Sequence, residues 1–153
     1  MVRPQTPGAR GLPKHPVASA MLTSAGVEGD FNVYRHDLKQ DDPRMAILVY
    51  PVETLQELDR EGWPVRPGDL GENLTTEGIP YSRWEPPCRF TVGPALLEVT
   101  KPCTPCDNLF LLPYVGAERG AAFLKSLTGR RGWYARVLRE GRVRPGDPVV
   151  LER

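Results

Sequence analysis

Three cysteines and two histidines in 153 residues leave this chain poor in the side chains that build metal clusters and disulfide frameworks. An odd cysteine count with no secretory signature argues against a disulfide scaffold and leaves reactive or ligating roles for the thiols. Long apolar runs are missing as well. The longest, Ala46–Tyr50 and Leu109–Leu112, are far too short to cross a bilayer. Neither sign of charge dominates: 20 Lys+Arg face 19 Asp+Glu, a net charge of +1. That balance excludes a broad basic face, so neither nucleic acid nor an acidic membrane is expected as partner. The opening MVRPQTPGARGLPKHP has no apolar core of the signal-peptide kind. A cytoplasmic location is the expectation.

Proline is abundant instead, 17 residues beside 15 glycines, spread between apolar segments rather than gathered in a tail. Such punctuation predicts many short elements joined by tight turns, as in a β-rich domain. The length suits one domain with a substantial core, residues 11–153, behind a flexible lead-in over 1–10. Strands are expected at Val17–Thr23, broken by Gly26 and Gly29, and at Met45–Tyr50, an apolar run buried on both faces. Phe90–Val92 and Ala95–Thr100 read as a hairpin about Gly93-Pro94, and Trp133–Arg139 and Val149–Glu152 as closing strands. Two helices are expected. Pro51–Glu61 carries a Val52, Leu55 and Leu58 stripe with Gly62 as stop, and Glu118–Leu127 carries Ala121, Leu124 and Leu127. Phe31–Arg44 and the stretch VRPGDLGENLTTEG read as polar loops. VRPGD occurs twice, at Val65–Asp69 and Val143–Asp147. Proline fixes the first corner, glycine takes positive φ, and aspartate bonds back to the backbone, so the repeat predicts one reused turn.

The chemistry concentrates in VTKPCTPCDNL, residues 99–109. Cys103 and Cys106 are each preceded by a proline, which stiffens the segment and removes backbone donors. A free thiol needs nearby cations to become a good nucleophile or ligand. Lys101 is close in sequence, and Arg130 and Arg131 form a compact cationic corner suited to phosphate or carboxylate. A structural zinc site would need Cys88 with His36 or His15 to join the pair, and no second close ligand pair exists. A thioredoxin-like dithiol belongs at a helix start, which Pro105 before Cys106 fits poorly. Plain burial of the cysteines is a further reading. In PGDLGENL, Gly68 and Gly71 free the backbone to approach a ligand, and Glu72 and Asn73 offer an acceptor and an amide.

Taken in order, VEGDF at 27–31, PGDLGENLTTEGI within the second loop, LEVTKPCTPC at 97–106, RRGWYARVL at 130–138 and VRPGDPVVL at 143–151 resemble the MOSC domain, the C-terminal domain of molybdenum-cofactor sulfurases. The resemblance runs from about Gly11 to the end. It implies a mainly β fold with a few helices, a β-barrel-like fold of the MOSC/PK type. It also implies that Cys106 is the functional thiol, either a molybdenum ligand in enzymes that reduce N-hydroxylated compounds or a persulfide carrier of sulfur. Thiolate is a soft ligand for a thiophilic metal. The implied cofactor is molybdopterin, whose phosphate gives Lys101, Arg130 and Arg131 a purpose. Gly71 and Asn73 join them as cofactor-binding candidates, and Glu72 and His36 as candidates for orienting groups or moving protons.

The chain departs from the family pattern at two places. Cys103 stands where many members carry the arginine of Arg-x-Pro-Cys, and Phe31-Asn32 with an isolated His36 replaces a His and a Gly-Gly pair. Small stand-alone members are the nearer comparison. Cys103 would resolve a Cys106 persulfide, close a reversible disulfide with it, or only pack. A small-molecule substrate or a sulfur-donor protein is the implied partner. A separate electron donor is implied too, because no flavin, haem or iron–sulfur motif lies on the chain. The other functional class is a delivery module that hands on sulfur or cofactor without turnover.

Overall fold

The structure, a computed structural model, describes Met1 and residues 11–152. The expected lead-in over 1–10 therefore lies, apart from Met1, outside the described residues. Nine short strands and two α-helices are seen among them. Six strands form one twisted, barrel-like sheet: β3 (Ile47–Pro51), β4 (Leu74–Thr76), β5 (Arg89–Val92), β6 (Ala95–Pro102), β7 (Trp133–Arg139) and β9 (Val149–Leu151), in the order β4-β3-β7-β6-β5-β9. Only β3 and β4 pair in parallel. A second sheet joins β1 (Ala20–Thr23), β2 (Gly26–Val27) and β8 (Gly141–Val143).

β3 organises the interior because each of its faces meets a different packing group. Ile47 and Val49 enter the sheet core with Phe90, Leu97, Val99, Ala135 and Trp84. Tyr50, on the other face, joins a second core with Leu55, Leu58, Leu70, Phe123 and Leu127. Leu48 packs with Met45, Cys103 and Tyr134 in a small third group. Burial on both faces explains why this strand reads as a continuous apolar run.

Helix α1 (Val52–Arg60) follows β3 directly and buries Leu55 and Leu58, as its stripe predicts, and Gly62 stops it at φ +88°. Helix α2 (Gly116–Ser126) packs Leu124, and Leu127 just past its end, on the second core as expected, but not Ala121. Gly120 and Phe123 are buried whereas Ala121 is exposed. The Phe110 ring sets this rotation, because it lies where a Cβ on Gly120 would stand, 2.4 Å from its nearest atom. Three strands were invisible to pattern reading: β2, β4 and β8 have two or three residues each. They exist because a neighbouring strand completes their hydrogen bonds. β4 turns part of the expected 65–78 loop into an edge strand beside β3. The expected loop over 31–44 also holds two short turns of helix, Tyr34–Leu38 and Pro43–Met45.

The VRPGD repeat is the same turn twice. Arg66 N–H donates to the Asp69 carboxylate at 2.9 Å and Arg144 N–H to Asp147 at 2.8 Å. Gly68 and Gly146 hold φ of +97° and +89°. The first copy is crossed by another segment: Lys14 N–H bonds the Gly68 carbonyl at 2.9 Å. That crossing straps residues 11–16 over the PGDLGEN loop and builds one wall of the site.

Candidate functional site

Where β6 leaves the sheet, the ladder to β7 is interrupted. The register shifts between Val99 and Lys101, leaving Thr100 as the extra residue of a bulge. The Thr100 hydroxyl lies 2.5 Å from the Arg44 carbonyl and 3.1 Å from that of Tyr134. Bulges of this kind re-aim side chains beside sites. Beyond it, Cys103 N–H still reaches back to the Gly132 carbonyl at 2.8 Å, so the β6–β7 pairing extends into the cysteine loop. Cys106 then sits in extended backbone at the start of the turn Asp107–Leu111, its carbonyl accepting Leu109 N–H at 3.2 Å.

Both thiols line a cavity of about 240 Å³. Its wall also includes Gly71, Lys101 and Arg131, which sequence reasoning had named, and Lys14, Lys39 and Tyr134, which it had not. Four cationic side chains and two sulfurs thus line one cavity. Three have partners: Lys14 Nζ lies 2.6 Å from Asp30 and Lys101 Nζ 3.3 Å from Asp42, while Lys39 sits over the Tyr34 ring. Asp42 is held well below the usual carboxylate range by hydrogen bonds from Arg44 and then by Lys101.

Arg131 differs from the other three. The residue is only 5 % exposed, and a single N–H is satisfied, Nη2 donating to the Leu70 carbonyl at 2.7 Å. Its Nε and Nη1 have no hydrogen-bond partner, and no carboxylate forms an ion pair with it among the described residues. Burial opposes its charge, but Cys103, Tyr134, Cys106 and Tyr50 around it outweigh that and hold the guanidinium above its ordinary value. Unpaired buried donors are costly and rare in native proteins.

The remaining sequence candidates point elsewhere. Arg130 turns to α1 and grips Glu61 through Nη1 and Nη2 at 2.8 and 2.5 Å. Glu72 is wholly buried inside its own loop, where Oε1 accepts Gly68 N–H at 2.7 Å and Thr75 Oγ1 at 3.2 Å. Burial pushes its carboxyl up against the hydrogen bonds and Arg131, which pull the other way. Asn73 ties β3 to the loop, accepting Leu48 N–H at 3.1 Å and donating to Asp30 at 2.8 Å. His36 is exposed against Phe31 and Asp41. None of these four lines the cavity. The zinc alternative finds no donor set: no three His, Cys, Asp or Glu side chains converge among the described residues. Lys14 escaped sequence reading because nothing local marks it, and it is buried only through the strap across Gly68.

Comparison with known proteins identifies the family and the fold. The MOSC domain description matches residues 35–150. The chain is 34% identical to "Uncharacterized protein YflK" of Bacillus subtilis over 92% of its own length, and 33% identical to "Protein YiiM" of Escherichia coli over 86%. It spans 62% and 58% of those two relatives, about three fifths of each. Among solved structures, YiiM from Geobacillus stearothermophilus superposes with a TM-score of 0.73 at 30% identity, covering 99% of this chain and 71% of the other. YuaD from Bacillus subtilis has a TM-score of 0.77 at 19% identity, covering 94% and 89%, a likeness of fold alone. The barrel-like sheet is shared with these YiiM structures, and this chain belongs to the MOSC domain family.

Proposed function

We propose that the 240 Å³ cavity holds the molybdenum cofactor, with Cys106 as the ligand to the metal. The carrying observation is Arg131: a buried cation with two unsatisfied N–H groups, on the wall that Cys106 shares, suits an anionic ligand. The donor set fits the group. Thiolate sulfur suits a thiophilic metal, and Arg131 with Lys101 would hold a pterin phosphate. When bound, the cofactor supplies two-electron reduction of N-hydroxylated compounds. The chain's own part is to orient and exclude. The β6 bulge and Pro105 fix the direction of Cys106, and Gly71 leaves room for the Leu12 side chain, which lines the cavity with Tyr34 and Phe31.

The test is expression in a host that makes the cofactor, followed by assay of molybdenum, pterin and amidoxime reduction. Wild-type protein is expected to carry both components and to turn over with an added electron donor. Cys106→Ala is expected to lose the metal and the activity. A purified protein with neither molybdenum nor pterin overturns the proposal. Sulfur carriage by Cys106 is a second reading, favoured by the second thiol in the same cavity. It predicts a persulfide on Cys106 after exposure to a sulfur donor, with no reduction activity.

A further inference from the structure

Cys103 is the residue that sets this cavity apart. It is 8% exposed, packs with Met45, Leu48 and Tyr134, and lines the same cavity as Cys106. Its thiol points to the Thr104 carbonyl at 3.7 Å. Its backbone is pinned by the bond to Gly132, whereas Cys106 begins a separate turn. A buried thiol and a more accessible one, three residues apart, therefore share a cavity wall with Arg131, two of whose N–H groups lack a partner. The thiolate is the form that attacks a sulfur–sulfur bond, and two thiols on one cavity wall three residues apart are placed for such an exchange.

We propose that Cys103 is the resolving thiol for Cys106, which makes the pair a working sulfur-exchange couple. The inference rests on Cys106 being the functional thiol. When Cys106 carries a second sulfur, Cys106–S–S–R, the Cys103 thiolate attacks the Cys106 sulfur. A Cys103–Cys106 bond forms, the outer S–S bond breaks, and R–S⁻ leaves. For R = H, the persulfide, the outer sulfur departs as hydrosulfide. The two cysteine sulfurs are together oxidised by two electrons and the departing sulfur is reduced by two. An external dithiol restores the pair by two successive exchanges. While the bond is closed, Cys106 has no thiolate to offer a metal or a sulfur donor. The same step therefore ends a round of sulfur delivery and controls when Cys106 is available.

The experiment uses the cofactor-free full chain in a Cys88→Ser background, because Cys88 is also partly exposed. Reduced protein is treated with glutathione disulfide, and in parallel with sodium polysulfide as a smaller probe, then followed by intact mass and hydrosulfide release. The parent is expected to pass through a single adduct and end two hydrogens lighter, with hydrosulfide released in the polysulfide arm. Cys103→Ser is expected to stop at the adduct on Cys106, which should decay at least about tenfold more slowly, since a thiol three residues away acts at an effective concentration of order millimolar. Cys106→Ser is expected to leave Cys103 unmodified. Near-UV circular dichroism checks that the variants fold, and Cys103→Ala serves if the serine variant does not. A stable adduct or persulfide on Cys106 in the parent overturns the proposal, as does failure of both probes to modify Cys106. No molybdenum enters this assay, so its failure leaves the cofactor reading standing, and loss of cofactor binding would leave this result standing.

Discussion

Replacing Arg131 by methionine should make the ligand-free protein more stable while removing its capacity for an anionic ligand. The guanidinium is buried with Nε–H and Nη1–H unpaired. Each unpaired buried donor costs about 1–3 kcal/mol, so removing two relieves about 4 kcal/mol at mid-range. Against that stands the charged hydrogen bond from Nη2 to the Leu70 carbonyl at 2.7 Å, worth about 2 kcal/mol. Methionine is flexible enough to fill the vacated space. The balance favours the variant by about 2 kcal/mol, within the range seen when apolar residues replace buried charges. For a chain of this size that raises Tm by roughly 4–8 °C. The assay is paired thermal and urea denaturation of cofactor-free wild type and variant, followed by pterin retention after expression in the competent host. Retention should fall at least about tenfold. A variant destabilised by more than about 1 kcal/mol would refute the reasoning. It would mean that Glu72, wholly buried and close enough to feel Arg131, is ionised and serves as the internal counter-ion.

Two further outcomes follow from the same loop. Gly68→Ala should cost about 2–4 kcal/mol, from positive φ plus overpacking, because its Cβ would stand 2.1 Å from the Lys14 carbonyl oxygen. Gly78→Ala, at φ +80° with open space around it, should cost only about 1 kcal/mol; equal urea midpoints would refute the strap. Glu72 is raised in the folded protein by burial. Between the unfolded and folded pKa the native state holds a proton that the unfolded chain lacks, so its stability contribution is full below about pH 4.5, the ordinary value. It is lost as pH rises through the folded value, with a slope approaching about −1.4 kcal/mol per pH unit. Glu72→Gln should remove that slope in urea titrations across pH, and an unchanged slope would refute the assignment.

The β-rich architecture was legible because its signals are local. β3 showed as an unbroken apolar run, α1 as a stripe ended by Gly62, and the β5–β6 hairpin as two runs around Gly93-Pro94. Strands of two or three residues carry no such pattern, which is why β2, β4 and β8 went unseen. On α2 the leucines of the expected face pack as the pattern implies, but Ala121 is exposed and Gly120, which gives no hydrophobic signal, is buried against the Phe110 ring.

The site divides along the same line. Sequence alone determined the family, the reused VRPGD turn and the stiffened Pro-Cys-x-Pro-Cys loop, since each is written within a few consecutive residues. Tertiary structure alone decided which cations serve the cavity. Arg130 and Arg131 are neighbours in one motif, yet Arg130 closes the turn after α2, its N–H bonded to the Leu127 carbonyl at 3.1 Å, and Arg131 lies in the bend that follows. One met Glu61 on α1 and the other met the two thiols. Lys14 was brought there by a strap 54 residues away in sequence from the glycine it crosses, Gly68. Partners at such distances are chosen by packing, and no local pattern records them.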